Sequence, residues 1–521
     1  MNHGIILGCL QADSCSQGSL VPDRTCPDIN LKRSGGAHKI ATFMRTKGWD
    51  IEVLDYWLAF TTDEFEQFIK SRVNKDTKFV GVSVTFGYRG KYLKRAQDHL
   101  TWLKEEYPDV MIVAGSKSLI DTMNLPCDYY VAGYGEFGLY HLLNGTAVIS
   151  DFMGKKFINA DKNHPCFPQK DLVVRYEDRD FIQPTDNLTL ELSRGCKFKC
   201  KFCSYNAIGL KGDIDRDMET LYTELKENYE KWGVTSYHCA DETVNDNTEK
   251  LRRAAEAIKK LPFKPNLTGF TRADLLISRE DDKKYLAEMG YWAHYYGIES
   301  YNQKSGSVIG KGMNRDKMKQ GLLDIRDYFW KECGRYRSTT SLIIGLPYET
   351  RESLFEGLDW HKENFLSENI VLFPLFLNKF SKQLEVQGVT ATSEFERTWE
   401  DGNHFHKHTI TDEEVGANPE AFPDTGLRQY LWGNYKQNAA LPWSHDTFNW
   451  WTTHLVLRDI YLKDYMVNRG IMSWELFNFT TPGTYNWDSV LQLNFDNYDA
   501  VKLKSDKDLF IQNYKNSKLN I

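Results

Sequence analysis

Two successive series of short β-rich segments, separated by stretches of helical periodicity, most constrain how this chain can fold. The first series has candidate strands at residues 3–9, 51–56, 78–84, 110–115 and 129–133. Parallel strands need long crossover connections, usually helices that cover both faces of the sheet. Residues 1–145 are therefore predicted to form a doubly wound, Rossmann-like α/β domain.

The second series predicts a barrel. Its candidate strands are residues 188–193, 234–240, 266–271, 292–299, 337–345 and 369–376. Their spacing of about 30 to 45 residues is typical of βα units. Six such units predict a partial (β/α)6 TIM-type barrel over residues 188–380, in which ligands bind at the carboxyl ends of the strands.

The remaining segments show weaker patterns. Residues 146–187 contain three prolines and scattered charge, which predicts a linker. Residues 381–521 are rich in Trp, Tyr and Asn and are predicted to form a mainly helical accessory or substrate domain that caps or extends the barrel.

Composition narrows the class of protein. The 521 residues are 41% hydrophobic and 26% charged, with a formal net charge of -7, which is typical of a globular chain. No apolar run approaches the roughly 18 residues of a membrane helix, and no secretory signal pattern opens the chain. We expect a cytoplasmic protein. The negative charge argues against nucleic acid as a partner.

Three of the ten cysteines lie within eight residues, directly after the first predicted barrel strand. Cys196, Cys200 and Cys203 form a Cys-x3-Cys-x2-Cys triplet. Three thiolates can hold three irons of a [4Fe–4S] cluster and leave the fourth iron open to a substrate or cofactor. The alternatives are a purely structural set of cysteines or zinc, but a structural zinc site is normally closed by four ligands.

The triplet resembles the cluster-binding loop of the radical S-adenosylmethionine (SAM) superfamily, in which an aromatic residue precedes the third cysteine. The resemblance implies that Cys196, Cys200 and Cys203 bind a [4Fe–4S] cluster and that Phe202 lies beside the adenine of SAM. In that family the open iron takes the amino and carboxylate groups of SAM. One electron from the reduced cluster then splits the sulfonium into methionine and a 5′-deoxyadenosyl radical, which abstracts hydrogen from the substrate.

Further strand ends fall where this family contacts SAM. The resemblance implies that the SAM-binding residues also include Asp241, Glu242, Arg272, Glu299, Ser300 and Gly345. Purely structural interpretations stay open for several of these residues. The two acidic residues after the second strand can be a solvated strand end, Glu299 can cap the next helix, and Arg272 can be an ordinary surface arginine.

The order of the domains is similar to that of the cobalamin (B12)-binding subgroup of the superfamily. Residues 131–136, VAGYGE, resemble that subgroup's glycine-and-glutamate turn. The resemblance implies cobalamin contacts at Gly115, Ser116, Gly133, Gly135 and Glu136. Alternatively, the glycines only make tight turns. The chain has no Asp-x-His-x-x-Gly sequence to offer a histidine to cobalt, as is normal in the subgroup, and Gly115-Ser116 stands where a glycine pair is commoner.

These features predict a radical SAM enzyme that methylates an unactivated carbon of a small-molecule or peptide substrate with the help of cobalamin. One SAM would supply the methyl group and a second the radical. A reducing electron donor such as flavodoxin or ferredoxin is the expected partner, and no membrane is involved. One alternative is a cobalamin-free enzyme for cyclisation, epimerisation or rearrangement. Others are a non-catalytic iron–sulfur electron carrier, a zinc module, or a tRNA-modifying methylthiotransferase.

Overall fold

The structure is a computed structural model of the whole chain. It describes residues 1–8, 33–84, 90–116, 124–152, 154–159, 171–203, 214–364, 369–377, 393–398, 401–408, 443–462 and 500–520. None of the described helices is long and apolar enough to cross a membrane.

The first domain is built on a seven-stranded sheet. Its strands are β1 (His3–Leu7), β2 (Asp50–Leu54), β3 (Thr77–Ser83), β4 (Met111–Ser116), β5 (Tyr129–Ala132), β6 (Ser150–Phe152) and β7 (Lys155–Asn159). Their order is β2-β1-β3-β4-β5-β7-β6, and all neighbouring pairs are parallel except β6 with β7. The order of the first five strands is one of the two common doubly wound orders, so the predicted fold class is confirmed here.

Among the described residues, four helices cover this sheet: α1 (Gly35–Thr46), α2 (Thr62–Arg72), α3 (Gly90–Glu106) and α4 (Gly135–Leu143). Phe65 of α2 and Leu100 of α3 belong to one apolar cluster, whereas Phe43 of α1 and Phe137 of α4 belong to another. The helices therefore lie in pairs on opposite faces, as crossover connections between parallel strands require.

The sheet continues beyond the predicted boundary at residue 145. The hairpin of β6 and β7 falls within the predicted linker, and β7 pairs in parallel with β5. An open strand edge offers free backbone hydrogen-bonding groups, and the hairpin satisfies them. The segment was not predicted as strand because its three- and five-residue runs are too short to show a clear alternation.

The second domain has the predicted partial barrel. Its described elements are β8 (Asn187–Leu190), β9 (Ser193–Arg194), β10 (Ile214–Asp215), α5 (Met218–Trp232), β11 (Ser236–Cys239), α6 (Thr248–Ile258), β12 (Asn266–Thr271), α7 (Ala273–Ser278), α8 (Glu280–Met289), β13 (Tyr291–Glu299), α9 (Gln303–Val308), α10 (Arg315–Cys333), β14 (Arg337–Ile344), α11 (Arg351–Asn364) and β15 (Asn369–Pro374). Strands β8, β11, β12, β13, β14 and β15 form one parallel sheet in chain order. The short β9 and β10 form a separate antiparallel pair.

The C-terminal region contacts both domains. Its described elements are α12 (Glu394–Thr398), β16 (His406–Lys407), β17 (Trp443–Ser444), α13 (Trp450–Leu462) and α14 (Ala500–Leu519). Trp443 and Trp450 join the apolar core of the barrel. Helix α14 packs instead on the first domain, where Tyr514 joins the core and Lys518 pairs with Glu52 at 3.1 Å.

Candidate functional site

The cysteine triplet lies at the carboxyl end of the first barrel strand. Strand β8 ends at Leu190, β9 follows, and the loop then carries Cys196, Cys200 and Cys203. All three thiols are half-buried and none forms a disulfide. The backbone N–H of Cys203 donates to the carbonyl of Cys200 at 3.0 Å, which closes a turn between the last two cysteines.

The donor chemistry of this loop fits an iron–sulfur cluster. A zinc ion needs its ligand atoms to converge on one point, at about 2.0–2.3 Å. Within the described part of the chain, no three His, Cys, Asp or Glu side chains converge in this way. A four-iron cube takes each thiolate at a different iron, so its ligands stand apart. Three free thiols in one loop are therefore a donor set that such a cluster can use.

Arg272 faces the cysteine loop and is not a surface arginine. Its Nη1 donates to Cys200 Sγ at 3.6 Å, and its guanidinium carbon lies 4.0 Å from the centre of the Phe198 ring. Asp274 accepts from the Nε and Nη2 atoms at 3.0 and 2.6 Å. The side chain is thus held on three sides, with one N–H directed at a predicted cluster ligand.

Asp241 is buried rather than solvated, and it anchors the start of the loop. Its Oδ2 accepts from the N–H of Leu192 at 2.9 Å, and its Oδ1 accepts from the N–H and the hydroxyl of Ser193 at 2.7 and 2.8 Å. Burial raises the pKa of Asp241, which nearby Lys250 opposes. Both carboxylate oxygens are engaged by the protein, so the residue positions the loop. Its half-buried neighbour Glu242 stays a predicted SAM contact.

Lys250, which no sequence pattern indicated, completes this anchor. Its ammonium donates to Ser193 Oγ at 2.7 Å and to Asp246 Oδ1 at 2.6 Å, with no exposed side-chain surface. Buried charges are retained only when they are paired and hydrogen-bonded. The loop therefore starts from a fully buried ionic network under the strand ends.

Glu299 has an unusual backbone conformation. Its φ of 67° lies in the left-handed region, where residues other than glycine are strained and are often found at functional sites. Lys311 donates to Glu299 Oε1 at 2.8 Å and to the carbonyl of Gly297 at 2.5 Å. The same ammonium lies 5.9 Å from the ring centre of Phe202. One lysine thus connects two predicted SAM residues, Phe202 and Glu299.

Ser300 and Gly345 meet at a buried carboxyl group. The hydroxyl of Ser300 donates to Glu349 Oε1 at 2.7 Å, and the N–H of Gly345 donates to Glu349 Oε2 at 3.2 Å. Burial raises the pKa of Glu349 to about 8. Glu349 therefore ties the end of β13 to the end of β14.

Gly345 is also where the C-terminal region meets the barrel. Its φ is 94°, and an added Cβ would lie 2.6 Å from both Thr453 and Trp443. Its carbonyl accepts from His445 Nε2 at 3.2 Å. A larger side chain would displace the C-terminal segment, so this glycine is required by both conformation and space.

The buried Glu349 predicts a pH dependence of stability. The folded state keeps the carboxyl proton up to about pH 8, whereas the unfolded state loses it near the ordinary value of 4.5. The unfolded state binds fewer protons within this window, so stability falls as pH rises through it. We expect the fall in melting temperature from pH 5 to pH 8 to be smaller in Glu349→Gln than in the wild type, by about 5 °C.

Thermal unfolding of the apoprotein at both pH values measures this difference. Glu352→Gln is the control, since it changes an exposed carboxylate of the neighbouring turn. Equal falls in the wild type and Glu349→Gln would contradict the prediction.

The predicted cobalamin residues lie at the carboxyl ends of β4 and β5. The carbonyl of Ser116 accepts from the N–H of Gly133 at 2.8 Å. Gly133 has a φ of 96°, which supports a turn at this position. An added Cβ at Gly115 would meet no atom closer than 3.9 Å, whereas one at Gly135 would lie 2.7 Å from Ile40 of α1. Gly135 thus permits close helix packing, and a corrinoid contact at these positions stays a prediction.

Glu136 does not point freely from this edge. Its Oε1 accepts from Arg194 Nη2 at 2.6 Å, and both side chains are buried. Burial alone would raise the pKa of Glu136, but Arg194 and Lys39 bring it below its ordinary value. The predicted cobalamin residue is therefore an ionised partner of the barrel. Sequence reasoning missed Arg194 because no local motif marks it.

The fold and the loop define a class of protein: a doubly wound domain followed by a partial barrel with a three-thiol loop at its mouth. Residues 190–360 match the Radical SAM superfamily. The middle of the chain is thus a radical SAM domain, and the expected resemblance to that superfamily is confirmed.

Comparisons with individual proteins agree with this match. An uncharacterized methyltransferase of Pyrococcus horikoshii is 27% identical over 171 residues, which are 33% of this chain and 36% of that protein. The match thus spans only about a third of this relative.

Two solved structures share the two-domain fold. The radical SAM methyltransferase TsrM from Kitasatospora setae, with cobalamin and a [4Fe–4S] cluster bound, has a TM-score of 0.54 and 15% identity over 72% of this chain and 73% of that one. The cobalamin-dependent radical SAM enzyme OxsB with aqua-cobalamin has a TM-score of 0.51 and 14% identity over 85% of this chain and 62% of that one. At these identities the likeness shows a shared fold, and it confirms the predicted fold class.

Proposed function

We propose that this chain is a radical SAM enzyme that cleaves SAM reductively at a [4Fe–4S] cluster and methylates an unactivated carbon with the help of cobalamin. Cys196, Cys200 and Cys203 hold the cluster. The edge formed by Gly115, Ser116 and Gly133 holds the corrinoid. A small molecule or peptide is the substrate, and a low-potential electron carrier supplies the electron.

One observation carries this proposal: the ligand-binding edges of the two sheets meet. The turn after β5 contacts the segment after β8 through the 2.6 Å ion pair of Glu136 with Arg194. Helix α1 also contacts strand β8. An added Cβ at Gly35 would lie only 2.4 Å from Thr189 of that strand. Ligands of parallel α/β sheets bind at these carboxyl edges. Two cofactors bound there would face each other.

The residues of the chain support this chemistry by position and charge. When bound, the cluster would supply the electron that splits the sulfonium of SAM, and the corrinoid would carry a methyl group. Arg272 and Lys311 place two cations beside the cysteine loop. Cations at these positions stabilise the negative charge of thiolates and of a substrate carboxylate. Glu299, buried beside Lys311, is an acceptor for hydroxyl or ammonium groups.

The test is anaerobic reconstitution with iron, sulfide and hydroxocobalamin, followed by desalting and an absorption spectrum. Reductant and SAM are then added, and products are quantified by mass spectrometry. Bound corrinoid, with 5′-deoxyadenosine from cleavage and S-adenosylhomocysteine from methyl donation, is the expected result. A cluster with 5′-deoxyadenosine but without corrinoid would favour the cobalamin-free alternative. A cluster without SAM cleavage would overturn the proposed enzyme.

The contact of Arg272 with Cys200 predicts an effect on the cluster. The reduced cluster carries one more negative charge, which an N–H donor at a ligand sulfur stabilises. We expect Arg272→Met to lower the reduction potential on the order of tens of millivolts, in a redox titration followed by electron paramagnetic resonance. The control is Arg252→Met, which removes an exposed arginine paired with Glu249 and Glu256. An unchanged potential in Arg272→Met would contradict the assigned contact.

A further inference from the structure

Arg194 lies between the two predicted cofactor sites. It belongs to β9, two residues before Cys196. It is buried, with 7% of its surface exposed. Its position in the chain makes it part of the barrel, but its side chain extends to the first domain.

The contacts of Arg194 with the first domain involve the turn after β5. Its Nη2 donates to Glu136 Oε1 at 2.6 Å, and its guanidinium carbon lies 4.2 Å from the centre of the Tyr134 ring. Both residues flank Gly135, one of the glycines predicted to contact the corrinoid. A displacement of Arg194 would therefore displace this turn.

A second ion pair also joins the two domains, but its cation belongs to the first domain and its anion to the barrel. Lys39 of the first domain pairs with Glu191 of the barrel. Glu191 also accepts from Arg194 Nε at 3.0 Å, which joins the two pairs. Each domain contributes one cation and one anion, so moving one domain against the other would leave buried charges unpaired.

Part of the Arg194 guanidinium has no hydrogen-bond acceptor among the described residues. Its Nη1 is buried and has no hydrogen-bond acceptor in the described part of the chain. Buried donors without an acceptor are rare in folded proteins. Among the described residues, the two N–H bonds of Nη1 are therefore available to a group that binds between the two domains.

We propose that Arg194 is a positioning residue that couples corrinoid binding in the first domain to cluster assembly in the barrel. The inference rests on the proposed function. Cluster assembly fixes Cys196, and with it the backbone that carries Arg194. Arg194 then holds the Tyr134–Glu136 turn in its corrinoid-binding position. Such coupling is reciprocal, so bound corrinoid also stabilises the cluster by the same factor.

The experiment compares corrinoid affinity with and without the cluster. Hydroxocobalamin is titrated anaerobically into the full-length apoprotein and into cluster-loaded protein, and binding is followed by absorbance. We expect the loaded wild type to bind at least about fivefold more tightly. In Glu136→Gln and in Arg194→Lys, which keeps the charge but loses the fork of donors, we expect this ratio to fall close to one while both cofactors still bind.

Glu52→Gln is the matched control. Glu52 is as buried as Glu136 and also lies in the first domain, but it pairs with Lys518 and Arg72 away from the barrel. Its ratio is expected to equal that of the wild type. A wild-type ratio of one, or an unchanged ratio in both Glu136→Gln and Arg194→Lys, would overturn the coupling. If the loaded wild type binds no corrinoid, the proposed function fails instead.

Discussion

Replacing Cys200 with alanine is expected to abolish cluster binding and, with it, reductive cleavage of SAM. Two remaining thiolates cannot hold three irons of the cube, so the site loses the ligand set that leaves a single iron open. The same result is expected for Cys196→Ala and Cys203→Ala. Iron and sulfide content, the absorption spectrum after anaerobic reconstitution, and the yield of 5′-deoxyadenosine measure the effect.

Cys333→Ala is the control for this series. Cys333 is a half-buried thiol at the end of α10, outside the loop, and its removal should leave iron content and cleavage at wild-type values. Intact cluster spectra in all three loop variants would refute the ligand assignment. Loss of iron in the control would show that the assay reports general damage to the fold.

Replacing Lys250 with methionine is expected to destabilise the barrel by about 3 to 5 kcal/mol, because it leaves buried carboxylates without their cation. Asp246 loses a 2.6 Å partner, and Asp241 loses the charge that opposes the effect of its burial. Methionine keeps the approximate length of the side chain, so the change is mainly one of charge. Chemical denaturation of the apoprotein, followed by tryptophan fluorescence, measures the loss.

The same substitution should also loosen the cysteine loop, since Lys250 donates to Ser193 at its base. Lys226→Met is the control, because Lys226 is an exposed lysine whose i,i+4 pair with Glu230 contributes at most a few tenths of a kcal/mol. Equal stability of the two variants would show that the buried network is not required.

Much of the fold could be predicted because its signals are local. Hydrophobic runs such as 78–84 and 110–115 correspond to β3 and β4, since buried parallel strands need nearly continuous apolar sequence. The hairpin at 150–159 could not be predicted in this way. Its strands are short, and they form because an open edge of β5 is available in space.

The candidate site likewise combines features that contiguous sequence predicts with contacts that only the tertiary structure creates. Alternating βα periodicity and the spacing of Cys196, Cys200 and Cys203 are properties of contiguous sequence, and they were sufficient to predict the barrel and its thiol loop. Arg194 meets Glu136 across 58 residues, and Lys250 meets Ser193 across 57. Such pairs form only when strand ends converge, because a buried charge selects its partner by position in space and not by separation along the chain. The sequence by itself thus determined which chemistry the chain can hold, and the tertiary structure decided which charges position it.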